Sequence, residues 1–225
     1  MSSLTQAIVI AAGFVASTAC GQVASTNALA ISTNAPSPLA EESDAKKWSF
    51  SASAYTYLVP DSREYVQPSF MADRDWLHLE ARYNYEALDS GSAWVGYNFS
   101  VGEKLVLEAT PMLGGVVGET TGIAPGYRVG LAWWKLELSS EGEFVFDTRD
   151  SDGNFFYNWS ELSCYPVDWF RFGLAVQRTK VYQTELDIQR GFLVGFSCKR
   201  VDFTTYVFNW GWTDPTVVLA VGVEF

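Results

Sequence analysis

From Lys47 to the C-terminus, apolar and polar residues exchange places at every second position, segment after segment, and no stretch carries a helical period. The last ten residues, Thr216 to Phe225, show the pattern most cleanly. Val217, Leu219, Val221, Val223 and Phe225 share one face, and Val218, Ala220, Gly222 and Glu224 fall between them. Successive side chains of a strand point to opposite sides, so a strand here has one uniformly apolar face. Short interruptions containing Gly, Asp, Asn or Pro separate the alternating segments. That is a strand-and-hairpin rhythm and not a succession of βαβ units.

The segments are Trp48 to Leu58, Glu64 to Ala72, Trp76 to Glu86, Ser92 to Val101, Leu105 to Val117, Ile123 to Trp134, Leu136 to Asp147, Phe155 to Cys164, Trp169 to Val181, Leu186 to Cys198, Val201 to Trp210 and Val217 to Phe225. A tilted strand crosses a bilayer in roughly 9 to 11 residues, and each segment has about that length. Their number is even, which returns the C-terminus to the side on which the first strand began. The predicted fold is all-β: a transmembrane antiparallel up-and-down β-barrel of about twelve strands with short turns. Pro68 and Pro111 each remove a ladder donor from a middle strand, and the eighth and eleventh segments leave their inward face ambiguous.

Alternation alone does not say which face is inside. In the third segment Leu77, Leu79, Ala81, Tyr83 and Tyr85 oppose His78, Glu80, Arg82, Asn84 and Glu86; in the seventh, Leu136, Leu138, Ser140, Gly142, Phe144 and Phe146 oppose Glu137, Ser139, Glu141, Glu143, Val145 and Asp147. The tryptophans favour lipid outside. Trp48, Trp76, Trp134 and Trp169 fall at one end of their strands, and Tyr57, Tyr85, Tyr157, Tyr182 and Trp210 near the other, as two interfacial aromatic girdles would. No apolar run approaches the roughly 18 to 20 residues of a membrane helix. The net charge of −11, with no basic cluster, excludes nucleic acid as a partner.

The alternating end with its terminal Phe225 resembles the closing strand of bacterial outer-membrane barrels, porin-like proteins among them. That resemblance implies a bacterial outer-membrane location and recognition of the last strand by the barrel assembly machinery. Asp75 to Glu86 (DWLHLEARYNYE) and Pro166 to Phe172 (PVDWFRF) are similar to a group of small bacterial outer-membrane-type proteins, over about Lys47 to Phe225. This implies fold and location and no particular activity.

Ahead of the barrel at 47–225, Ala7 to Val15 and the small residues to Ala19 have the form of a signal peptide over 1–19, although Met1 to Gln6 lacks a basic residue. Cys20 raises the question of lipidation, but Ser17 stands where that motif carries Leu. Residues 20–46 have the composition of a disordered periplasmic tail. Cys164 and Cys198 lie two strands apart, beyond disulfide reach, and no Cys/His spacing fits a metal; no cofactor is expected.

Charge in a barrel wall belongs inside, since a cation on the lipid face at the midplane costs ~2–4 kcal/mol. Glu80, Arg82, Glu108, Arg128, Glu137, Glu141, Glu143 and Arg171 are therefore the candidate lumen-lining residues, with Glu141 and Glu143 at the constriction. Acid outnumbers base, which suits a narrow passive channel for small polar or cationic solutes. A non-conducting barrel, plugged by its own ion pairs and stabilising the envelope, is the alternative, although no loop looks long enough to plug it. His78, the sole histidine, reads as a structural lumen residue and no enzyme is predicted. Arg178, Lys180 and Arg190 break the outward apolar face near one hairpin. Pairing about Thr184 would set Arg178 opposite Arg190, so that either lipopolysaccharide phosphate lies between them, or they snorkel to water or a bulge turns them inward.

Overall fold

The computed structural model describes residues 47–59, 63–149, 151–181, 187–211 and 215–225, and the expected leader (1–19) and tail (20–46) lie outside them. The strands are β1 (Ser49–Leu58), β2 (Tyr65–Arg74), β3 (Leu77–Tyr83), β4 (Gly91–Tyr97), β5 (Phe99–Val101), β6 (Leu105–Val117), β7 (Gly122–Trp133), β8 (Leu136–Asp147), β9 (Phe155–Val167), β10 (Phe170–Val181), β11 (Asp187–Cys198), β12 (Val201–Phe208) and β13 (Thr216–Glu224). Consecutive strands pair antiparallel, except β4 with β5, and β13 returns to β1. β4 and β5 both pair with β6 and form one strand broken at Asn98, so the barrel closes with twelve staves. The break has a local cause. Asn98 donates its backbone N–H to the Trp76 carbonyl at 2.7 Å and its side-chain N–H to Asp73 at 2.7 Å, while the Thr110 hydroxyl donates to Asn98 Oδ1 at 2.6 Å.

The burial pattern is inverted relative to a soluble protein. Phe70, Val95, Leu113, Phe146 and Leu174 are 43–61% exposed, whereas Glu80, Arg82, Glu143 and Arg171 are 4–5% exposed. In water this arrangement would leave the apolar set exposed to solvent; in lipid the apolar wall meets acyl chains and the charges are kept on the inside.

Turn lengths orient the barrel. On the side of the termini, β2–β3, β7–β8, β9–β10 and β11–β12 are joined by two residues and β5–β6 by three, against four to seven on the opposite side. Short periplasmic turns and longer outer loops are the rule for these barrels. Asp75, Trp134 and Lys199 hold φ near +55 to +59° in three of the two-residue turns. At the seam Phe225 donates its N–H to the Phe50 carbonyl at 3.0 Å and packs its ring against Phe50 and Phe70, with centroids 6.2 and 6.3 Å apart. The closing strand is thereby fixed to β1 by backbone and by aromatic stacking together.

Several expectations need correction. The third segment does not run to Glu86: β3 stops at Tyr83 because Asn84 adopts φ +56°, and its side chain bonds Val66 and Asp89. Tyr85 and Glu86 of the 84–90 loop then turn inward, so part of a loop does enter the lumen, while Leu88 and Asp89 stay exposed. Tyr57, Tyr85 and Tyr157 form no outer girdle; they point inward, Tyr57 because it shares its phase with Ser51 and Ser53 while Phe50 and Ala52 take the lipid side. Tyr182 lies outside the described residues, and Trp210, 64% exposed and edge-on to Phe192, does stand at the outer rim. Trp48, Trp76, Trp134 and Trp169, 39–84% exposed, make the periplasmic girdle as read. Arg178 faces Ile188 and Arg190 faces Val176, because the β10–β11 pairing pivots earlier than Thr184; an apolar residue opposite each avoids direct cation repulsion. Cys164 on β9 and Cys198 on β11 form no disulfide.

Candidate functional site

The lumen is where the charged side chains converge. β3 supplies His78, Glu80 and Arg82 at every second position, and β7 and β8 bring Arg128, Glu141 and Glu143 from the facing wall. Arg82 binds Glu80 through Nε at 2.8 Å and Nη2 at 3.0 Å, and Glu143 through Nη1 at 2.8 Å. Its guanidinium lies 4.3 Å from the Tyr85 ring and 4.5 Å from the Trp94 ring, held between two aromatic faces. Arg128 pairs with Glu141 at 3.1 Å and lies 3.8 Å from Glu80. His78 contacts Asp73 through Nδ1 at 2.8 Å and Glu80 through Nε2 at 3.3 Å. Both ring nitrogens are thus occupied.

The inward loop completes this layer with two residues that alternation had assigned to a strand. The Tyr85 hydroxyl donates to Glu141 and its ring meets Tyr157 edge-on at 5.4 Å. Burial, reinforced by the Glu141 carboxylate, pushes the Tyr85 phenol well above its usual range, so it remains a donor. Glu86 accepts from Ser92 Oγ at 2.5 Å and lies 3.9 Å from Arg82. One oxygen each of Glu86 and Glu143 (Oε2 and Oε1) is buried without a hydrogen-bond partner.

A second group lies around Arg171, which bonds Glu161 at 3.1 Å, Ser163 at 3.3 Å and Thr204 at 2.8 Å. Trp159 Nε1 and the Tyr206 hydroxyl both donate to Glu161 Oε1, at 2.7 and 2.8 Å. Glu108 on β6 and Glu137 on β8 also turn inward, Glu137 buried and Glu108 half-buried. All eight candidate residues therefore face the lumen, but they divide between the two ion-pair groups and the periplasmic wall and do not form one ring.

Side-chain size decides where space remains. Toward the periplasm β1, β2, β12 and β13 place Ser51, Ser53, Ser69, Asp202, Gly222 and Glu224 inward, leaving a cavity of about 70 Å³ that extends to Tyr85, Arg128, Glu141 and Arg171. Toward the outside, Tyr57, Trp159, Tyr206 and Phe208 pack on one wall and Trp94, Met112, Val116 and Val145 on the other. Trp94 has room because Gly114 and Gly126 lie beneath its ring; a Cβ on Gly126 would sit 2.9 Å from it. Glycines at inward positions beside a tryptophan were the sequence signal for this packing, and Tyr85 and Glu86 had none beyond the Asn84 turn.

Inward charge and an exposed apolar wall define a transmembrane β-barrel of the porin-like outer-membrane type. No family model and no curated protein matches the chain. Among solved structures it is similar to a KdgM porin, at 12% identity over 78% of this chain and 99% of that one, TM-score 0.55. It is also similar to a KdgM porin in complex with disordered oligogalacturonate, at 10% identity, 78% and 99% coverage and TM-score 0.56. The Acinetobacter baumannii outer membrane protein Omp33 aligns at 10% identity over 79% of this chain and 98% of that one, TM-score 0.48. At these identities the likeness is one of fold.

Proposed function

We propose that the barrel is a narrow passive channel for small polar or cationic solutes. The supporting observation is the acid excess of its inner wall. Glu80, Glu86, Glu141 and Glu143 share Arg82 and Arg128, and Glu108, Glu137, Asp202 and Glu224 line the periplasmic half around Arg171. Fixed carboxylates in a low-dielectric passage concentrate cations and repel anions. An oligogalacturonate is a polyanion, so this wall is suited to a different solute class from the ligand in the KdgM complex. A cavity of about 70 Å³ holds a few waters and favours solutes of hydrated-ion size.

The packed outer half of the lumen favours a second reading, a non-conducting barrel that stabilises the envelope. Planar-bilayer recording separates the two: cation-selective steps support the channel, and a silent, correctly folded barrel supports the second reading. The doubly bonded His78 supports a non-enzymatic role. The exposed ring of Phe225 at the seam supports recognition of β13 by the barrel assembly machinery.

A further inference from the structure

Two arginines lie on the lipid side of the wall. Arg178 on β10 and Arg190 on β11 are exposed and share the outward phase of Phe172, Leu174, Phe192 and Phe196. They sit diagonally across adjacent strands, Arg178 opposite Ile188 and Arg190 opposite Val176. Among the described residues neither side chain has an ion pair or hydrogen bond. Lys180 follows in the same phase, but its side chain lies outside the described residues.

Height narrows the choice of partner. Arg178 is the ninth residue of β10 counted from the periplasmic turn. At ~3.3 Å per residue and a tilt near 40° it stands roughly 20 Å up an apolar band about 25 Å tall, in the outer-leaflet half. Arg190, level with Val176, stands two residues lower. An outward cation pair there, on a chain of net charge −11 that pairs its three lumen arginines with glutamate, calls for an anion from the membrane.

The ground beside the pair is polar as well. Asn158, opposite Arg178 on β9, donates to the Tyr127 hydroxyl at 3.0 Å and to Ser140 Oγ at 3.0 Å, and Ser140 and Ser160 lie 3.0 Å apart, all on the outer face. Below lie Leu174, 61% exposed, and Phe192, 40% exposed.

We propose that Arg178 and Arg190 form a site for the phosphates of one lipopolysaccharide molecule, with its acyl chains along Leu174 and Phe192. Guanidinium forks match phosphate oxygens in geometry and charge. The proposal rests on the outer wall and is independent of conduction through the lumen.

The test uses the full-length protein purified from outer membranes, with co-purified lipopolysaccharide measured per barrel after detergent exchange. R178A/R190A should retain roughly tenfold less than the wild type, with R178K/R190K intermediate. Heat-modifiable migration checks folding, and R178Q/R190Q replaces the alanine pair if that pair does not fold. On the wild type alone, lipopolysaccharide should raise the melting temperature, and dephosphorylated lipopolysaccharide should raise it no more than phosphatidylglycerol does. Equal retention by the folded double variant overturns the proposal, as does equal stabilisation by the dephosphorylated form. Loss of retention only together with a change of oligomeric state would assign the pair to a second copy of the chain and also overturn it.

Discussion

Arg82→Met removes the cation that holds the mid-lumen layer together. Arg82 makes three short hydrogen bonds to Glu80 and Glu143 and lies between two rings at 4.3 and 4.5 Å. Without it Glu80 keeps His78 at 3.3 Å and Arg128 at 3.8 Å, but Glu143 loses its hydrogen bond, because Oε1 already has none and Oε2 bonds Arg82. Breaking a buried pair from one side costs about 3–5 kcal/mol, and the desolvated cation–π contacts fall partly within that figure. We expect a loss of about 4 kcal/mol, since methionine keeps most of the volume and the stranded carboxylate dominates. Arg82→Met combined with Glu143→Gln should recover roughly half of it, because a neutral amide tolerates burial better than an unpaired carboxylate. Urea unfolding in lipid vesicles, followed by tryptophan fluorescence, measures both. A loss below about 1 kcal/mol, or strictly additive single and double variants, would refute this account of the layer.

Gly114→Ala should destabilise the barrel by about 1–3 kcal/mol, because its Cβ would sit 2.4 Å from the Trp94 ring; thermal melting in detergent checks it. Tyr85→Ala removes the inward loop's contacts with Glu141, Tyr157 and Arg82, and should increase unitary conductance in planar bilayers while leaving the barrel folded. Phe225→Ala strips the seam of its stack on Phe50 and Phe70 and should lower the heat-modifiable fraction assembled in cells. Oxidation with copper phenanthroline should leave Cys164 and Cys198 both titratable as thiols within one barrel, since β10 lies between their strands.

Strand periodicity made the barrel, its closure and its inward charges legible, because lipid outside and water inside force each strand to declare its faces. Glu80, Arg82, Arg128, Glu137, Glu141, Glu143 and Arg171 could be placed by parity alone. Parity failed where the chain left the ladder. The αL turn at Asn84 converts Tyr85 and Glu86 from strand residues into loop residues that turn into the lumen, and only φ at that residue distinguishes the two. Tyr57 and Tyr157 were misplaced for another reason: a tyrosine near a strand end suits a girdle as well as a packed lumen, and the deciding fact is the phase of its neighbours across the ladder. β9 was ambiguous because its outward face carries Asn158 and Ser160, which are tolerated there by bonding to Tyr127 and Ser140. The partners of each lumen glutamate depend on which strands face one another across the barrel, and sequence alternation carries no such information.

The most direct test of a cation-favouring lumen is the reversal potential of single barrels in a planar bilayer under a potassium chloride gradient. The wild type should show cation selectivity that weakens stepwise in Glu141→Gln and in Glu143→Gln. Folded, conducting barrels with anion selectivity, or with selectivity unchanged by either substitution, would contradict it.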